Sequence, residues 1–180
     1  MSRWILAALL AVALVAPASA HADDQNLQLF NAVSQTVQRY PYFTIFDSVH
    51  AGVADGVVTL TGKVTMPFKA SDIEKRVAKL EGVRAVRSRI DVLPVSSFDD
   101  NLRLRIARAI YANSSLAQYG LGPNPSIHVI VERGHLTLDG VVLNDMDRQI
   151  ARAVVGQFST FSITNNLKTE KEVKQDLEQL

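Results

Sequence analysis

The chain has 180 residues, of which 19 are basic, 18 are acidic and none is cysteine. The absence of cysteine excludes disulfides, thiol catalysis and thiolate metal sites, and it also excludes a lipid anchor attached through cysteine. Without residues 1–20, which contain Arg3 and no acid, 18 basic and 18 acidic residues remain. That balance argues against bulk nucleic acid as a general electrostatic partner.

Residues 1–20 have the features of a signal peptide. A positive charge precedes an apolar run from Ile5 to Val15, which is shorter than the roughly 17–25 residues that span a bilayer. The small residues Ala18-Ser19-Ala20 then suit a signal peptidase. Cleavage is predicted after Ala20 or after Ala22. The product is expected to be a soluble protein of the periplasm, or one that is secreted further.

The rest of the chain contains an internal repeat. Residues 47–64 and 125–142 are identical at eight of eighteen positions when they are compared at an offset of 78. Two of the eight shared positions are glycines, Gly56 with Gly134 and Gly62 with Gly140. This similarity indicates a duplication. It predicts two modules, residues 24–94 and 99–169, and a C-terminal tail over residues 170–180.

Each copy is predicted to begin with a helix and a hairpin. Apolar residues four positions apart mark the stripe that the helix buries; they are Leu29, Val33 and Val37, then Leu102, Ile106 and Ile110. Alternating apolar residues predict the two strands of the hairpin. Asp55-Gly56 and Arg133-Gly134 are expected at the hairpin tips, because glycine supplies the positive φ that a tight turn needs.

A second amphipathic helix and a last strand complete each copy. The strands are predicted around residues 86–92 and 163–169, after helices with these apolar residues: Ile73, Val77 and Leu80, then Ile150, Val154 and Phe158. Two helices are expected to cover one face of a three-stranded sheet, so the fold class is α+β with tandem αββαβ modules. Residues 94–98 are the predicted linker.

The pattern Gly-x-Φ-Thr-Leu-x-Gly-x-Val, followed by a helix and a Gly-Val-x-x-Val ending, resembles the BON domain of bacterial osmotically induced and nodulation proteins. In the first copy the pattern runs from Gly56 to Val64 and from Gly82 to Ile90. In the second copy it runs from Gly134 to Val142. The second ending departs from the pattern, since Ser159 and Thr160 stand where the first copy has Gly82 and Val83.

The resemblance implies association without chemistry. Exported proteins with tandem BON modules look like envelope-maintenance factors that are linked to osmotic stress. Some members bind anionic phospholipid through one module, and others behave like periplasmic chaperones. The resemblance therefore implies no enzyme, no cofactor and no small-molecule substrate. The partners that it implies are an anionic phospholipid surface or envelope proteins, and not nucleic acid.

The first helix of the second module is the candidate binding surface. Arg103, Arg105 and Arg108 flank its apolar stripe, while Tyr111 and Tyr119 lie at its end and in the loop that follows. A basic amphipathic helix beside an aromatic-bearing loop is typical of contact with an anionic headgroup interface. The alternative is that the apolar stripe faces the core and that the arginines are simply solvated.

Two other stretches have structural explanations. The aromatic segment Tyr40-Pro41-Tyr42-Phe43 is predicted to cap the core of the first module. The basic residues of its second helix are predicted to form a solvated face; they are Lys69, Lys75, Arg76 and Lys79.

His50 and His128 occupy the same position of the repeat, which raises the question of a metal site. One imidazole in each module supplies one ligand, and no acid or second histidine repeats at ligand spacing. Both histidines are therefore predicted to face solvent from their strands. We predict no metal site and no catalytic residue.

Overall fold

The computed structural model describes residues 18–122 and 124–177. The predicted signal peptide therefore lies outside the described residues up to residue 17, as do Pro123 of the long loop and residues 178–180 of the tail. The first module consists of α1 (Ala18–Gln38), β1 (Ser48–Ala54), β2 (Val57–Val64), α2 (Pro67–Val77) and β3 (Ala85–Val92).

The second module repeats this order of elements. It consists of α3 (Ser97–Ala112), a 3-10 turn (Ala117–Gly120), β4 (Ile127–Glu132), β5 (His135–Val142), α4 (Asp145–Val155) and β6 (Ser162–Thr169). Helix α5 (Glu170–Leu177) follows, so the segment predicted as a tail begins with two helical turns. The predicted α+β fold of two repeated modules is confirmed.

Each module has a three-stranded sheet with the second strand of its hairpin in the middle. Strand β1 pairs antiparallel with β2, and β2 pairs parallel with β3 across the connection through α2. Strands β4, β5 and β6 repeat this arrangement. The helices cover one face of each sheet, and each module has its own apolar core.

Gly62 and Gly140 explain why the duplicated motif keeps its glycines. They have φ values of +124° and +122°, which side chains of L-residues rarely adopt. A Cβ atom at either position would also overlap the carbonyl oxygen of Ser48 or Ser126 on the neighbouring segment. Both modules therefore need a glycine where the central strand meets the start of its hairpin partner.

The connection between the modules is short. Strand β3 ends at Val92, and the buried Leu93 donates its N–H to the carbonyl of Val64 at 2.8 Å. Helix α3 then begins at Ser97, because the Ser96 side chain accepts the N–H of Asp99 at 3.2 Å as an N-cap. The connection is therefore Pro94–Ser96, two residues shorter than the predicted linker.

The modules contact each other along strand β4. The Val129 N–H donates to the carbonyl of Ile45 at 2.7 Å. Ile45 and Phe46 also pack against the core of the second module. The loop between α1 and β1 thus covers an edge that β4 would otherwise expose.

None of the helices between residues 18 and 177 that the structure describes is both long and apolar enough to cross a membrane.

Candidate functional site

Helix α3 buries the apolar stripe that its sequence predicts. Leu102, Ile106 and Ile110 all lie in the core of the second module. At its beginning, the Asp99 carboxylate accepts the N–H groups of Arg133 and Gly134 at 2.8 and 2.9 Å. The helix is therefore fixed to the tip of the β4–β5 hairpin, and its opposite side faces outward.

Arg103 lies on the buried side of α3 and is only 4% exposed. Its Nη2 and Nε donate to the carbonyl of Val131 at 2.6 and 3.2 Å, and its Nη1 donates to Asp100 at 2.5 Å. This guanidinium connects the helix to strand β4. The prediction that Arg103 belongs to a binding surface is not supported by this position.

Arg105 and Arg108, in contrast, are exposed on the outward side of α3. The exposed side chains of Phe98 and Leu104 flank them on the same side. The Arg105 guanidinium carbon lies 5.5 Å from the centre of the Phe158 ring, a cation–π contact. Within the described part of the chain, no carboxylate forms an ion pair with either arginine. We call these four residues, Phe98, Leu104, Arg105 and Arg108, the α3 outer face.

The two candidate tyrosines support the loop rather than this face. The Tyr111 hydroxyl donates to the carbonyl of Ile127 at 2.5 Å, and burial raises the pKa of Tyr111 to about 12. The Tyr119 hydroxyl is buried, donates to Asp147 and accepts the Leu143 N–H at 2.9 Å. Both phenols are therefore engaged inside the second module.

Sequence reasoning missed a buried ion pair in the first module. Lys69 was predicted to be solvated, but its Nζ lies 2.6 Å from the fully buried carboxylate of Asp47. Asp47 also accepts the N–H groups of Thr44 and Thr65 at 2.8 and 2.7 Å. The spacing of Lys69 from Ile73, which is four positions, is the signal that places it on the buried stripe of α2.

The aromatic segment of the first module is a cap only in part. Tyr40 is buried and its hydroxyl donates to Asp72 at 2.9 Å, as the prediction requires. Tyr42 is exposed and forms an edge contact with the exposed ring of Phe68. Phe43 packs against the core of the first module, as the prediction requires, and its ring centre also lies 5.4 Å from that of His128 in the second module.

The two repeat-related histidines have different surroundings. His50 is exposed, and its Nε2 lies 2.7 Å from Oδ2 of Asp139 in the second module. His128 is covered by Phe43, and its Nδ1 is buried without a hydrogen bond. The prediction that both face solvent is therefore wrong for His128, because the modules meet over it.

Ser48, His50 and Asp139 are close together but are not arranged as a catalytic triad. The Ser48 hydroxyl lies 3.2 Å from Nε2 of His50 and also donates to Oδ2 of Asp139. In a triad the carboxylate and the serine meet different nitrogens of the histidine. Here both meet Nε2, so the cluster holds the two modules together instead.

Two further observations concern chemistry. Among the described residues, His, Asp and Glu do not form a group of three or more that is arranged to hold a metal ion. A groove of about 550 Å³ between α4 and β6 is lined by Arg148, Arg152, Asn165 and neighbouring small or amide residues.

Both modules are similar in sequence to a known family. The sequence model of the BON domain matches residues 32–94 and 99–171. No curated protein matches the chain. Two solved structures that match are of CdsD, a structural protein of the type III secretion system of Chlamydia trachomatis.

The first of these structures, the C-terminal domain of CdsD, has 16% identity and a TM-score of 0.34, and the match covers 84% of this chain and 69% of that one. The second has 15% identity and a TM-score of 0.29, with 84% and 97% coverage.

Proposed function

Because the chain belongs to the BON-domain family, whose modules bind rather than catalyse, we propose that it binds anionic phospholipid of the cell envelope through the α3 outer face. The wider role that we propose is envelope maintenance under osmotic stress. The proposed location is the periplasm, after removal of residues 1–20, with secretion as the alternative. An envelope protein surface is the other partner considered.

The observation that carries the proposal is a pair of arginines that form no ion pair with any carboxylate in residues 18–122 and 124–177 and that lie between exposed apolar side chains. Arg105 and Arg108 offer positive charge to lipid phosphate, while Phe98 and Leu104 are placed to enter the acyl boundary. Each basic residue near an anionic surface contributes about 1 kcal/mol. A small apolar contact beside two such charges suits reversible binding to a membrane surface.

The first module lacks this combination at the corresponding helix. At the offset of 73 that aligns the two first helices, Asn31 corresponds to Leu104 and Gln35 corresponds to Arg108. Both amides are exposed. The second module is therefore the one proposed to bind lipid.

The test is co-sedimentation of residues 21–180 with vesicles, since the apolar segment before residue 21 would itself insert. Arg105→Ala with Arg108→Ala is compared with Arg87→Ala with Arg89→Ala, a control that removes two exposed arginines from β3 of the other module. We expect binding to anionic but not neutral vesicles. The α3 variant should bind about thirtyfold more weakly, the equivalent of about 2 kcal/mol.

Binding that is weakened equally by both double variants would mean that only total charge matters, and this would contradict a site on α3. No binding to either vesicle type would remove the lipid proposal. A circular dichroism spectrum that matches the unmodified protein is the check that each variant is folded.

A chaperone or protein-interaction role is the second candidate, and exposed apolar side chains favour it. They cluster near the start of the second helix in both modules: Tyr42, Met66 and Phe68, then Leu121, Leu143 and Met146. Patches of this kind commonly mark protein contacts. Suppressed aggregation of an unfolded exported protein without vesicle binding, lost in Phe68→Ser with Met146→Ser, would support this role over the lipid role.

A further inference from the structure

The contact between the modules contains both repeat-related histidines, in opposite electrostatic settings. His50 of the first module reaches Asp139 of the second at 2.7 Å, and the Ser48 hydroxyl bonds the same carboxylate. His128 of the second module is covered by Phe43 of the first, and its Nδ1 has no hydrogen bond. One histidine is stabilised in its charged form and the other in its neutral form.

We propose that docking of the two modules is controlled by pH through this histidine pair. The modules are closed on each other near the pH at which a free imidazole is half protonated. They separate as the pH moves away from that point in either direction. This inference is independent of the proposed lipid function, because it concerns the contact between the modules and not the α3 outer face.

His50 provides the response to rising pH. Its hydrogen bond to Asp139 raises the pKa of His50 above the ordinary 6.5, although partial burial opposes the shift. The stabilisation is complete below pH 6.5, where the separated imidazole is protonated as well. It is lost as the pH rises through the raised pKa of the docked state. Neutral His50 can then offer the Asp139 carboxylate only a hydrogen bond from an uncharged imidazole, without the ion pair.

His128 provides the response to falling pH. Burial lowers the pKa of His128 below the ordinary 6.5, because a charged ring is poorly solvated under Phe43. The contribution of neutral His128 is complete above pH 6.5. It is lost as the pH falls through the lowered pKa of the docked state, since protonation then favours the separated modules.

Other charged and polar groups surround the two rings. Lys168 on β6 opposes the raised pKa of His50. The backbone carbonyl of Asp47, the carboxylate of Asp139 and the backbone carbonyl of Thr44 oppose the lowered pKa of His128. Burial would raise the pKa of Asp139, but the bonds from His50 and Ser48 lower it below 3.8. Lys63 and Glu132 form a further cross-module ion pair at 2.5 Å.

The test measures the distance between the modules in residues 21–180, which contain both modules, without lipid. The chain has no cysteine, so Glu74→Cys on α2 and Gln157→Cys after α4 provide two unique, exposed labelling positions. Energy transfer between dyes at these positions is followed from about pH 5 to about pH 9. We expect a maximum near pH 6.5 and a decrease on both sides.

Three variants assign the two sides of this curve. His50→Gln should remove the decrease at high pH. His128→Leu, which places an apolar side chain that cannot be protonated under Phe43, should remove the decrease at low pH. His135→Gln is the matched control, because His135 is exposed at the far hairpin tip beside Ser162. Each unit of pKa shift corresponds to about a tenfold change in the docking equilibrium.

Energy transfer that is constant across this pH range, with an unchanged circular dichroism spectrum, would overturn the proposal. It would also be overturned if both decreases remained in the His50→Gln, His128→Leu double variant. Vesicle binding does not enter either measurement, so failure here and failure of the lipid proposal are separate results.

Discussion

The two modules have the same backbone but place different chemistry at the same point. In the first module, the Thr65 N–H after the central strand donates to the Asp47 carboxylate at 2.7 Å. In the second, the equivalent Leu143 N–H donates to the Tyr119 hydroxyl at 2.9 Å. The fold requires an acceptor for this N–H. The comparison teaches that the requirement has been kept while the residue that meets it has changed.

The partner of each acceptor has also changed. Lys69 and Asp147 occupy the same repeat position, four residues before the buried residue Ile73 or Ala151. Lys69 pairs with Asp47, whereas Asp147 accepts from Tyr119. The first module thus has a buried ion pair, and the second has a phenol that is hydrogen-bonded to a carboxylate. The modules should therefore respond differently when one partner is removed.

The largest expected effect tests what the modules share. Gly62→Ala and Gly140→Ala should each destabilise their own module by about 4–5 kcal/mol, because the new Cβ overlaps a backbone carbonyl at a positive φ. Amide hydrogen exchange, read separately over the two modules, measures the loss. Gly52→Ala is the control, since its Cβ would meet no atom within 4 Å. An equally small loss of stability at all three positions would contradict the conclusion that both modules need a glycine here.

The next effect distinguishes the buried ion pair of the first module from the buried phenol–carboxylate hydrogen bond of the second. Asp47→Ala should cost about 3–5 kcal/mol, because it leaves the ammonium of Lys69 buried without a counter-ion. Tyr119→Phe should cost about 1–3 kcal/mol, the usual penalty for an unsatisfied buried polar group. Urea unfolding followed by circular dichroism measures both. If the second loss were the larger, the charged pair would not be the more sensitive of the two.

Acid should affect the first module through the same residue. Burial would raise the pKa of Asp47, but its bonds from Lys69 and Thr65 lower it below 3.8. The stability that these bonds provide is present above pH 3.8 and is lost as the pH falls through the lowered pKa. Asp47→Ala should flatten this acid dependence, and hydrogen exchange of the first module near pH 3 would detect it.

The smallest expected effect concerns the starts of the second helices. Asn144 caps α4 by accepting the Asp147 N–H at 2.9 Å, whereas Met66 at the equivalent position of α2 provides no side-chain cap. Met66→Asn should stabilise the first module by about 1 kcal/mol, and Asn144→Ala should destabilise the second by a similar amount. Thermal unfolding that moves the two transitions in the same direction would contradict the comparison.

Periodicity within each copy was enough to predict the modules. The apolar spacing of Leu102, Ile106 and Ile110, and the glycine at each hairpin tip, reflect interactions that are local in the sequence. Local patterns also proposed the arginines of α3 as a binding surface, but they did not separate the buried Arg103 from the exposed Arg105. Arg103 directly follows Leu102 and falls within the buried arc of the helix, so its angular position was the signal that was missed.

Contacts between the modules were not predictable in the same way. Asp139 and His128 lie on a sheet face that one module alone would leave open to solvent. Phe43 of the other copy lies against His128, and Ser48 donates to Asp139, although each pair is more than 80 residues apart in sequence. No period of one module encodes that arrangement. The sequence therefore identified His50 and His128 as equivalent positions of the repeat but did not predict their different surroundings.

The short connection Pro94–Ser96 has a consequence for how the modules meet. Three residues reach at most about 10 Å, so separated modules remain neighbours at an effective concentration in the millimolar range. Re-docking is then a first-order event whose equilibrium does not depend on how much of the protein the cell contains. A change in the acidity of the surroundings would be read identically by one molecule or by many.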